Sequence, residues 1–184
     1  MSGELIVQTL KGPTSGANAN KIIVPSGHTL AAAGHVVQTV YVEETGTQLY
    51  STQTTVDLFS ASITPTSTNS KILVSLNIQW GISNVNGDFG LFLKRGSTRI
   101  GGKTNDGSRG GSNIWFANDD RFGSLAEQNY NLLNTSWQYL DSPSTTSATV
   151  YTVGVVVTTQ FALNRMWNST NGGTSTITLM EIAQ

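Results

Sequence analysis

Apolar residues recur at every second position along this chain, and helical spacing is nearly absent. Alternate side chains of an extended strand point to opposite faces, so this period confines the chain to β structure before any other property is weighed. The clearest run is Ile72 to Trp80. There Ile72, Val74, Leu76, Ile78 and Trp80 share one face, while Ser75, Asn77 and Gln79 share the other. One apolar and one polar face belong to an antiparallel sheet packed on a single side. Val36, Gln38, Val40 and Val42 alternate with Val37, Thr39 and Tyr41, and Val56, Leu58 and Ser60 alternate with Asp57, Phe59 and Ala61.

Further strands are expected at Phe89 to Arg95, which ends in a Gly96-Ser97 turn, and at Asn113 to Ala117. Val150 to Thr159 is apolar almost throughout and reads as a central strand buried on both faces. Phe161 to Trp167 and Thr174 to Ile182 complete the set, with Asn171-Gly172-Gly173 as a hairpin turn between them. The single helical candidate is Ser124 to Leu133. About eight to ten strands spaced by polar turns predict an all-β protein, an antiparallel sandwich of two sheets.

Residues 1–34 differ from the rest. The run from Lys11 to Asn20 holds little that packs, and Ala31-Ala32-Ala33-Gly34 is small and featureless. We expect an extended N-terminal arm over 1–34 and a β-sandwich head over 35–184. Charged residues make up 11% of the 184, well below the quarter usual in soluble domains, so Ser, Thr, Asn and Gly cover the surface. Net charge is -1 and no stretch concentrates Lys or Arg, which argues against a groove tracking nucleic-acid phosphates. No cysteine is present, so disulfides and thiolate metal sites are excluded. No basic leader followed by an apolar run is visible, and no apolar run reaches the roughly 20 residues of a membrane span.

Several stretches resemble the heads of tailed-phage fibre proteins, especially those of cyanophages and marine phages. They are Ile22-Ile23-Val24-Pro25-Ser26-Gly27-His28-Thr29-Leu30, Ser70-Lys71-Ile72-Leu73-Val74, and the strand, turn and strand from Leu91 to Ile100. Further matches are Leu140 to Tyr151, Asn164-Arg165, and Ser175 to Ile182. The resemblance implies a jelly roll similar to the tumour-necrosis-factor and complement-head type. It also implies a homotrimer located in the virion, on a tail fibre, a head fibre or a capsid decoration, and joined to other capsid or tail proteins through its arm.

The search for chemistry finds binding better served than catalysis. No Gly-x-Ser-x-Gly elbow exists, and Gly101-Gly102 and Gly110-Gly111 lack the phosphate-loop context. Asp57, Asp88, Asp141 and Glu181 show no pairing that a glycosidase would need. Glu181, in an apolar strand, is expected to meet an arginine at a subunit contact. Asp119-Asp120, Asn105-Asp106-Gly107, His28 and His35 read as turn or packing residues. No metal, cofactor or enzymatic activity is expected. Trp80 and Trp167 read as core, while Trp115-Phe116 and Trp137 divide between core packing and a stacking platform for sugar rings. The glycine-rich loop from Gly101 to Gly111 is the expected place of contact, with Asn105, Arg109, Trp115 and Phe116 as ligand-binding residues and host-surface polysaccharide as the candidate ligand. The rival expectation is a free carbohydrate-binding, lectin-like protein.

Overall fold

A computed structural model describes residues 11–19, 21, 23, 32–82, 88–103, 111–117 and 131–184. The chain divides into two units, Met1–Ala32 and Ala33–Gln184. In the first unit the described residues form successive turns. The Ala19 N–H donates to the Gly16 carbonyl and the Lys21 N–H to the Asn18 carbonyl, each at 3.1 Å.

The second unit is all β among its described residues. Eleven strands run in chain order: β1 Val36–Glu44, β2 Gln48–Tyr50, β3 Thr54–Ile63, β4 Lys71–Gly81, β5 Asp88–Arg95, β6 Thr98–Ile100, β7 Ile114–Ala117, β8 Leu133–Asp141, β9 Thr149–Val157, β10 Phe161–Leu163 and β11 Ser175–Ile182. The first sheet runs β1-β11-β4-β8, and β10 and β2 extend it beyond the end of β11. The second runs β3-β9-β5, and the outer edge of β5 is shared by β6 and β7. If β6 and β7 are taken as one interrupted strand, the principal strands number eight. They pair first with last (β1 with β11), second with seventh (β3 with β9), third with sixth (β4 with β8) and fourth with fifth (β5 with β6/β7). That is one long hairpin rolled into two sheets, the jelly roll.

The core lies between the sheets and comes from alternate residues. Ile72, Val74, Leu76, Ile78 and Trp80 of β4 face Phe89, Leu91 and Leu93 of β5 and Tyr151, Val153, Val155 and Val157 of β9. All are buried, and their removal from water supplies the main driving force for this half of the sandwich. The β4 alternation is found as read.

Four expectations need correction. In β3 the register shifts between Asp57 and Phe59, because Leu58 is an extra residue opposite β9. A bulge inverts the facing of everything beyond it. Thus Phe59, Ala61 and Ile63 are buried and Ser60 is exposed, the opposite of unbroken alternation. β9 is central but not buried on both faces: Val150 is 42% exposed and Thr152 and Val156 are half-buried. Only Gly154 is fully covered on the outer side, where Phe92 lies over it. Asn171-Gly172-Gly173 joins no hairpin, since β10 pairs with β2 and β4 rather than β11. The Gly173 N–H instead donates to the Asn164 carbonyl at 3.3 Å and closes a loop on itself. Leu133, the end of the helical candidate, opens β8, and 124–130 lie outside the described residues.

Candidate functional site

The site is built where β5's partner strand breaks. β6 pairs with Leu93, Lys94 and Arg95, and β7 pairs with Asp88, Phe89, Gly90 and Leu91. The chain between them leaves the sheet and returns. Gly101 and Gly111 hold φ of +71° and +73°, values open to glycine at little cost, and Gly102 lies directly against the Gly111 carbonyl. The excursion therefore leaves through a closed neck.

Asn113 mends the break. Its N–H donates to the Leu91 carbonyl at 2.8 Å. Its side-chain oxygen accepts from the Leu93 N–H at 2.8 Å, and its amide nitrogen donates to the Ile100 carbonyl at 3.1 Å. One side chain thus stands in for the missing stretch of backbone. Buried backbone groups left unpaired are costly, which accounts for an asparagine at this point.

Beyond the splice, β7 alternates. Trp115 is opposite Gly90 and Phe116 is opposite Phe89. Phe116 therefore points inward with Phe89. The two rings stack at 5.5 Å between centroids, Trp80 meets Phe116 edge-on at 4.6 Å, and Phe161 lies 4.9 Å from Phe89. Trp115 faces the other way, onto the outer surface of the second sheet. The two aromatics expected to form one platform lie on opposite faces, and Phe116 is a core ring. Asn105 and Arg109 lie outside the described residues, as do His28, Asp106, Asp119 and Asp120.

Trp115 lies across β5, with the Cε3–Cζ3 side of its indole in the space that a side chain at Gly90 would fill. Its Nε1–H donates to Asp88 Oδ1 at 3.0 Å. Asp88 is itself fixed by its backbone. Its N–H donates to Thr159 Oγ1 at 3.0 Å, and its carbonyl accepts from both the N–H and the hydroxyl of Thr158 at 2.8 Å. Among the other tryptophans, Trp80 is 3% exposed and donates to Thr135 Oγ1 at 2.8 Å. Trp137 packs half-buried against the core, with its Nε1 buried and unpartnered. Trp167 is half-buried and its carbonyl accepts from Arg165 at 3.3 Å.

The remaining carboxylates hold structure. Asp57 pairs with Lys94 at 2.6 Å on the outer face of the second sheet, where Arg99 covers Phe92 at 3.8 Å from the ring centroid. Asp141, buried on β8, takes two bonds from Arg95 at 2.9 and 3.0 Å and one from the Tyr151 hydroxyl at 2.6 Å, so it ties the two sheets together. Burial, with the bond to Asp141, pushes the Tyr151 phenol far up. Glu181 is fully buried, and among the described residues no arginine meets it. Oε1 accepts from the N–H and hydroxyl of Thr66, and Oε2 from the Gln38 amide at 2.6 Å. Burial alone raises its pKa; the bonds from Gln38, Ser70 and Thr66 outweigh that and hold the carboxyl below its ordinary range. Asp141 and Glu181 lie on either side of Ile72 in one cross-strand row. Both are buried, with a core isoleucine between them. Among the described residues, no three of His, Cys, Asp and Glu converge.

Asn164 escaped the sequence reading. It is fully buried at φ +55°. Its amide donates to the carbonyls of Glu44 and Gly46 at 2.6 and 3.1 Å, and its side-chain oxygen accepts from Ser175 at 2.6 Å. It is a hub joining β1, β10 and β11. Asparagine's tolerance of positive φ is the only trace of this in the sequence.

No protein-family model matches the chain. No curated protein matches it in sequence. Among solved structures the chain is similar to the Gx strain of infectious bursal disease virus, at 10% identity and a TM-score of 0.41, covering 89% of this chain and 46% of that one. It is also similar to a mutant VP2 protein of the same virus in T=1 particles, at 12% identity and a TM-score of 0.41, covering 93% and 44%. The Gt strain gives 12% identity and a TM-score of 0.40, covering 89% and 41%. The chain thus spans less than half the length of the solved chains it matches. The jelly-roll assignment rests on the strand pairings alone.

Proposed function

We propose that this protein is a structural subunit of a virus particle of the tailed-phage kind. In this reading a trimeric jelly-roll head is held by the arm over 1–34 to other capsid or tail proteins, and it turns a glycan-recognising surface outward. The observation that carries this reading is the outer face of the first sheet. Met180, Leu73 and Leu140 form one cross-strand row there, with Tyr41 and Ile182 beside them. Leu140 is 50% and Tyr41 59% exposed. Of the outward residues on β1, β11, β4 and β8, only Lys71 and Glu43 are charged. A sheet face so poor in charge, with an apolar row set among uncharged Ser, Thr, Asn and Gln, suits contact with neighbouring subunits. The phage-head resemblance and the sparse charge of the whole chain support the same reading.

Sedimentation of the full chain tests it. A species three times the 19.6 kDa chain mass is expected, and Tyr41→Asp with Leu140→Glu should return it to monomer. A wild-type monomer at micromolar concentration overturns the trimer. Labelled antibodies on purified particles should decorate the capsid or the tail, and their absence from particles favours the free lectin.

A further inference from the structure

We infer that Trp115 and Asp88 form a subsite for one neutral pyranose residue on the outer face of the second sheet. The inference rests on the reading of the head as a glycan-recognising virion module and names the chemistry it would recognise. An outward tryptophan normally stands away from its sheet. Here the position beneath it is Gly90, so the indole settles over β5 beside the Ser112 hydroxyl, in space that a side chain at position 90 would take. Val156, half-buried, follows Gly90 in the same cross-strand row and continues the apolar floor. A ring held down in this way offers a flat apolar surface at little conformational cost.

The polar half is equally defined. The indole N–H is spent on Asp88 Oδ1, which fixes the ring against the carboxylate. Backbone bonds to Thr158 and Thr159 hold Asp88 in place. Oδ2 has no partner among the described residues, and it accepts hydrogen bonds only. A fixed acceptor beside a flat apolar ring matches a pyranose, whose C–H face is apolar and whose rim carries hydroxyl donors. A negative acceptor also discriminates, because uronate or sialate carboxylates would meet like charge. Among the described residues of this face, Lys94 is paired with Asp57 and Arg99 lies over Phe92. The ligand class is therefore a neutral hexose of a surface polysaccharide.

The test uses the full chain on an array of neutral gluco-, galacto- and manno-oligosaccharides, with uronate- and sialate-containing oligosaccharides alongside. At least one neutral family should bind, and the acidic ones should not. Trp115→Ala and Asp88→Ala should each weaken that binding tenfold or more. Trp115→Phe, which keeps a ring, should weaken it only a few-fold and remain folded. Binding that Trp115→Phe and Asp88→Asn leave untouched, or a preference for acidic glycans, overturns the subsite. Absence of any neutral-glycan binding overturns it too. Sedimentation and particle incorporation of the same variants are read separately. A trimer that still joins particles without binding sugar means that the subsite fails and the virion reading stands.

Discussion

Glu181 is a carboxylate enclosed by donors that carry no charge. Its folded pKa lies below the ordinary 4.5, so ionisation favours the folded state. That contribution is fully present above about 4.5 and drains away as pH falls through the lower folded value. In Glu181→Gln the added amide would face the Gln38 amide, donor against donor. We expect the variant to lose about 1–3 kcal/mol at pH 7. Urea midpoints should fall more steeply below pH 4.5 in the wild type than in the variant; parallel acid limbs would remove Glu181 as the cause. Asn113 makes a second case. Asn113→Ala orphans the buried Leu93 N–H and should cost a similar 1–3 kcal/mol. Amide exchange should quicken first at Leu93, and an unchanged Leu93 rate would mean that the splice is not what protects it.

At the scale of elements, the excursion between β6 and β7 behaves as an insert. Its two ends already touch, Gly102 on Gly111. Replacing residues 103–110 by an Asn-Gly pair should leave the thermal transition unchanged or raise stability by up to about 1 kcal/mol, since a shorter loop costs less to close. A loss above about 3 kcal/mol would show that the insert packs on the sandwich. The element-scale reading of the sequence succeeded where one strand obeys one rule. β4 alternates from Ile72 to Trp80 without a break, and each inward residue is buried. It failed at β3, because a single extra residue changes no composition and is visible only against a partner strand. Of the candidate site, the glycine-rich loop and the aromatic strand after it could be read from the sequence, and that strand lies at one edge of the second sheet. That Trp115 faces out over Gly90 while Phe116 faces in depends on pairing with a strand far back in the sequence. The roles of Asn113, Asn164 and Asp88 were hidden for the same reason, since their partners come from other strands and loops that no residue name reveals.

For the whole molecule, the two outer sheet faces differ in chemistry. One is nearly without charge, with an apolar row among uncharged polar residues; the other carries Asp57, Lys94, Arg99 and Trp115. In the proposed reading, assembly would use the first and leave the second for ligands. Deleting residues 1–34 should leave a head that melts in one cooperative transition, stays trimeric and no longer joins particles. Normal incorporation of that deletion would put the anchor elsewhere. The rolled pairing also sets a timetable. β11 lies between β1 and β4, yet of the eleven strands it is the last to be synthesised. Until residues 175–182 emerge, β1 has no partner in its sheet and β4 shows an open edge of Ile72, Val74 and Leu76. Such long-range closure is slow, and an unpaired apolar edge invites association with other nascent chains. Synthesis in a crowded cell would therefore leave these edges open to misassembly until residue 182 has emerged.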